Sequence, residues 1–243
     1  MDAPNLRQIS YLRPMQLHKI KQYLQAYTDY LDTPDAYKRL HYWESQRIWQ
    51  ENWDKDAIDW HKMYDNCLQN SSTKRLWKRE AYEPKRMMKA FIEMDQHFVF
   101  SMFDDLFNED QEVHSRADRF VFYCDQLMMQ FRKNKPLSID TGHYHDDGYQ
   151  IISLYLSFQF PDLYAPYNAE QFITLLQKIG AANIPLAGDF SRHVKVMRTL
   201  QKFINKEEEL LNRHTARLQP NHYQEESLLL AFDFMQFVTS QHS

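Results

Sequence analysis

The stretch HYHDDGYQIISLYLSFQFPDLYAPYN, His143 to Asn168, decides how this chain is read. It opens on two histidines and two aspartates within five residues. It then runs through Ile151, Ile152, Leu154, Tyr155, Leu156, Phe158 and Phe160, and ends on a Pro-Tyr-Asn turn. A nearly continuous apolar run of this length fits a buried strand or a buried helix, and periodicity alone does not separate the two. The composition favours helix. The 243 residues contain only four glycines and nine prolines, and aromatic residues reach 15%. Chains poor in glycine and rich in Leu, Gln, Lys, Glu and Met build helices more readily than tight-turned sheets. On that reading Asp146 or Asp147 caps the helix and Pro161 ends it.

Outward from this segment, three- and four-residue apolar spacing recurs. Residues 15–31 carry Leu17, Ile20, Tyr23, Leu24, Tyr27 and Leu31 on one side. Asp54 is positioned to cap a helix with Ile58, Met63 and Tyr64, Pro84 suits a first turn, and Asp95 divides two further segments. Residues 110–131 form an amphipathic helix that turns Cys124 inward as a structural thiol. Asn168 opens a capping box with Gln171, and Gly180 stops that helix. Asp189 or Ser191 starts a long helix through Leu211, and a last one spans about 224–238. The polar run Asn70–Lys74 reads as a loop. The expected fold is therefore all-α: a multi-helix bundle of two packed halves, 1–132 and 143–243, joined by a linker at 133–142 (KNKPLSIDTG from Lys133).

Several chemistries are excluded or weakened by the same inspection. None of the four glycines lies in a phosphate-binding loop or a dinucleotide fingerprint, so no nucleotide cofactor is expected. Two distant cysteines, Cys67 and Cys124, make neither a disulfide scaffold nor a zinc ribbon and point to a reducing cytoplasm. No apolar run approaches a membrane span, and the N-terminus lacks a secretion signal. His143, His145, Asp146 and Asp147 supply zinc-type ligand atoms and so pose a metal-dependent hydrolase as one alternative. Helix capping accounts for the aspartates, however, and a His-x-His pair does not share a helix face, so no metal is expected. The tryptophans Trp43, Trp49, Trp53, Trp60 and Trp77 recur near helical spacing and read as core. With a net charge of -4, any nucleic-acid contact must come from a local patch. Arg192, Lys195, Arg198 and Lys202 form the best one, at helical spacing on one face, with Tyr164 and Tyr167 as ring partners for bases.

Four segments in order carry a family resemblance. YWESQRIWQENWDKDAIDWHKMYDNCL (Tyr42–Leu68) resembles the tryptophan-rich start of the region before the AAA+ GTPase domain of McrB-type restriction proteins. FVFSMFDDLFNEDQEVHSRADRF (Phe98–Phe120), the opening stretch, and LLLAFDFMQFV (Leu228–Val238) resemble later parts of that region. The chain departs from the pattern at His145–Gly148 and carries no Walker motif. The resemblance implies a non-enzymatic recognition or adaptor module of a McrBC-like DNA restriction and phage-defence system, binding DNA or docking to a motor or nuclease partner. It transfers no catalytic residue. A purely structural protein-interaction module is the other reading.

Overall fold

A computed structural model describes residues 16–71, 84–140, 142–146 and 148–241. Trp77 and most of the 70–74 loop lie outside them. The regular elements among the described residues are all helices, with no strand among them. The helices are α1 (Leu17–Tyr30), α2 (Pro34–Tyr37), α3 (His41–Asn52), α4 (Trp60–Cys67), α5 (Pro84–Met94), α6 (Gln96–Leu106) and α7 (Val113–Asn134). They continue with α8 (Gln150–Gln159), α9 (Ala169–Lys178), α10 (Phe190–Ile204), α11 (Glu208–Arg217) and α12 (Leu229–Ser240).

The ambiguous apolar run is helix α8, and the reason is its place in the molecule. Every residue from Ile151 to Phe158 is buried, which is the expected environment of a helix apolar all round. Helix α3 packs on one side of it, where Gln46 Nε2 donates to Ser157 O at 2.8 Å and Trp49 Nε1 donates to Gln159 Oε1 at 3.0 Å. Helix α12 is the second deeply buried element, and α1, α9 and α10 pack around it. The Leu228 N–H donates to Pro161 O at 2.8 Å, which joins the entry of α12 to the exit of α8. One hydrophobic core contains residues from Ile20 to Val238. Trp49 and Tyr64 from the first half of the chain pack on Tyr155 of the second. Helix α7 continues through Lys133 and Asn134, and irregular chain follows it.

Buried charge fastens the ends of this assembly. Asp233 of α12 accepts from Tyr27 Oη at 2.7 Å, Arg39 Nη1 at 2.9 Å and Arg217 Nη2 at 2.6 Å. Burial alone would raise this carboxyl, but the two guanidiniums and the phenol hold it below its ordinary value.

Local signals translate unevenly. Asp95, Asn168 and Asp189 cap α6, α9 and α10, accepting from the N–H of Phe98, Gln171 and Arg192. The cap of α4 is Asp59, which accepts from Lys62 N–H; Asp54 instead accepts from Asp56 N–H in a local turn, and Ile58 is exposed. The long helix expected through Leu211 breaks after Ile204. The break lets α11 turn onto α1, burying Leu210 and bringing Arg213 to Asp32 at 2.8 Å. The expected cap of α8 is also overturned. Its N-cap is Tyr149, at φ 60, with no side-chain cap. Asp146 is exposed, and Asp147 lies outside the described residues.

Candidate functional site

With the aspartates not capping α8, the two histidines before them, His143 and His145, stand in a cluster of their own. Between α7 and α8, Tyr144, Gly148 and Tyr149 all take left-handed φ values, of 63, 54 and 60°. Non-glycine residues are uncommon there and collect at functional sites. The turn at Tyr144 brings both flanking imidazoles inward: His143 is 3% exposed and His145 is fully buried.

The hydrogen bonds leave one proton arrangement. His145 Nδ1 lies 2.7 Å from His143 O, and a carbonyl only accepts, so Nδ1 carries the proton. Nε2 is then an acceptor and takes the Tyr155 hydroxyl proton at 3.1 Å. Tyr155 in turn accepts from Tyr64 at 2.6 Å. The His145 backbone N–H donates to His143 Nδ1 at 3.1 Å, which puts the ring proton of His143 on Nε2, 3.2 Å from Asp125 Oδ1. A directed chain thus runs from Tyr64 in the core to Asp125 on the surface. Burial pushes His145 down to about 3, and the neighbouring His143 adds to this against its own backbone carbonyl. Tyr64 and Tyr155 are raised by the same burial. The cluster is completed by Cys124 of α7, fully buried, whose thiol burial also raises.

Asp125 lines a groove of about 590 Å³ between α7, the residues Asp146, Gly148 and Tyr149, and the turns before α9 and α10. Three carboxylates, Asp118, Asp125 and Asp146, mark its rim, and Val121, Phe122 and Tyr149 form an apolar wall. The Tyr149 hydroxyl donates to Asp118. Tyr167 lies at the floor, 3% exposed, and its hydroxyl finds no hydrogen-bond partner of ordinary geometry among the described residues. Burial raises this phenol, and the nearby Asp189 backbone N–H opposes the rise. An N–H donor there leaves the hydroxyl proton without an acceptor. Directly behind Tyr167, His193 is fully buried among the rings of Tyr167, Phe172 and Phe190, and neither of its ring nitrogens has a partner among the described residues. Burial alone pushes it down to about 3.

The residues expected to meet DNA do not share one exposed face. Tyr164 and Tyr167 are both 3% exposed. The Tyr164 hydroxyl accepts from Arg116 at 2.7 Å and donates to Glu109 at 2.8 Å. Arg198 Nε donates to Leu163 O at 2.9 Å and lies 5.4 Å from the Tyr164 ring centre. Arg192 holds the α9–α10 connection through the carbonyls of Ala182 and Asn183. Lys195 and Lys202 remain exposed on α10. The groove went unread in the sequence, yet it had a signal. Asp118, Phe122, Asp125 and Met129 follow each other at four, three and four residues, an outward stripe on α7 that mixes acid with exposed apolar side chains.

No helix of the described residues is long and apolar enough to cross a membrane. Compared with protein-family models, curated proteins and solved structures, the chain matches none.

Proposed function

We propose that this chain is a non-enzymatic helical recognition module that docks a protein partner through the α7 groove. The setting would be the adaptor role that its resemblance to McrB-type restriction proteins implies, beside a cytoplasmic motor or nuclease subunit. The observation that supports this most directly is the groove itself. Three carboxylates rim an apolar wall that ends on exposed Phe122. Such a surface repels phosphate and suits a peptide segment whose Lys or Arg side chain meets the acids while an apolar side chain lies on the wall. Phe122, 56% exposed, is the kind of aromatic anchor that dominates interface energetics.

A second reading rests on Lys195 and Lys202, both exposed and two helical turns apart on α10, which suit contact with a DNA backbone. One experiment separates the two. The full chain is tested for binding to the neighbouring AAA+ or nuclease subunit and to duplex DNA across salt concentrations. Phe122→Glu should cut partner binding at least about tenfold, the loss of roughly 1.4 kcal/mol expected of an anchor residue, without changing the helical content. Partner binding indifferent to Phe122→Glu, together with salt-sensitive duplex binding lost in the Lys195→Glu, Lys202→Glu double variant, would overturn docking in favour of DNA.

A further inference from the structure

We propose that Cys124, His143 and His145 form a binding site for a thiophilic divalent cation of the zinc class, which would lock the chain around His143 and His145 onto α7. One donor atom from each of the three lies within 4.8 Å of the others, and all three residues are buried. A thiolate with two imidazoles is a zinc-type donor set, and three protein donors leave the fourth tetrahedral position to a solvent oxygen.

The tautomers supply an independent argument. Metal-bound histidines as a rule donate their remote ring N–H to a carboxylate or a backbone carbonyl, which fixes the ring and sharpens its free lone pair. Both imidazoles are already held this way. His143 gives its Nε2 proton to Asp125 at 3.2 Å, and His145 gives its Nδ1 proton to the His143 carbonyl at 2.7 Å. The lone pairs left are on His143 Nδ1 and His145 Nε2, now occupied only by the His145 backbone N–H and the Tyr155 hydroxyl at 3.1 Å each. An arriving ion takes these two lone pairs. It also bonds the sulfur of Cys124, whose S–H proton leaves to solvent, and no group changes oxidation state. The groove offers the approach, since Asp125 and Asp146 place two carboxylates beside the site. This reading stands apart from partner docking: the ion site lies among buried residues, the anchor Phe122 on the outer face of α7.

The test uses the full chain, freed of metal by a chelator and then titrated with zinc chloride or cobalt chloride. The expected result is about one ion bound per chain, a thermal midpoint that rises with zinc, and a cobalt spectrum with a sulfur-to-metal charge-transfer band and the intense visible bands of tetrahedral coordination. Cys124→Ser should abolish the charge-transfer band while Cys67→Ser keeps it. Asp125→Asn, which removes the carboxylate that takes the His143 Nε2 proton, should weaken zinc binding about 10- to 100-fold. Absence of a charge-transfer band in the unaltered chain, or zinc affinity equal in the native chain and Cys124→Ser, would overturn the site and leave a purely hydrogen-bonded cluster.

Discussion

Acid should loosen this protein through His193, and the size of the effect follows from its surroundings. The ring centres of Tyr167, Phe172 and Phe190 lie 4.9, 5.2 and 6.4 Å from that of His193, and no charged group accounts for its displacement from the usual imidazole range. In the unfolded chain the group takes a proton near pH 6.5. In the folded chain it does so only near about 3. Between these values the unfolded state binds a proton that the folded state refuses. The stabilising contribution is therefore complete above about pH 6.5 and declines by about 1.4 kcal/mol for each unit of acidification, down to the folded value. Moving from about pH 7.5 to about 5.5 should cost roughly 1.4 kcal/mol from this residue. His214 is lowered to about 3 by burial first and by Arg217 second, so it adds a similar loss. His145, pushed to about 3 by burial, adds a third such loss, so urea denaturation across that range, in chelator-containing buffer, should show the native chain losing about 4 kcal/mol from the three. The His193→Leu variant keeps nearly the same volume and removes two buried nitrogens without partners. It should be as stable as the native chain or more so at neutral pH, and its acid loss should be smaller by about 1.4 kcal/mol. Superimposable pH profiles for the variant and the native chain would refute the reasoning.

Three other outcomes are expected. Asp233→Asn strands Arg217, whose side chain is 1% exposed, and should cost about 3–5 kcal/mol in chemical denaturation; a cost below about 1 kcal/mol would show that solvent reaches the cluster. Asn168→Ala removes the acceptor for the Gln171 N–H at the start of α9 and should cost about 1 kcal/mol, with no change in the denaturant slope. Burial pushes Cys67 up to about 12 and raises Cys124 as well, so neither thiol should react with an aromatic disulfide reagent until the chain unfolds; prompt labelling of the native protein would contradict the packing.

Helices with an apolar stripe and an Asx cap were legible from sequence, because both signals are local. Ile20, Leu24 and Tyr27 all point inward from α1, and Asp95, Asn168 and Asp189 cap as their positions suggest. What local reading missed depends on partners far along the chain. His143 answers to Asp125 eighteen residues earlier, and His145 to Tyr155 ten residues later. Nothing in His-Tyr-His-Asp-Asp announces that a left-handed Tyr144 turns both rings inward, so helix capping was the cheaper explanation. The break after Ile204 has the same origin, since no proline or glycine marks it and only the meeting of α11 with α1 makes it favourable. The basic stripe on α10 was correct in its spacing, but Arg192 and Arg198 spend their guanidiniums on carbonyls that the sequence gives no means of foreseeing.

The bond from Tyr27 to Asp233 spans 206 positions. A ribosome adding about 5–20 residues each second needs roughly 10–40 s between making the one and making the other. Throughout that interval α1 has no α12 to lie against, and the apolar face that α12 will cover stays open to water, chaperones and other nascent chains. The Tyr27–Asp233 bond is thus made late in synthesis, since it waits on the arrival of Asp233. Slowing synthesis shortly before that codon would lengthen the exposed period without altering a single side chain.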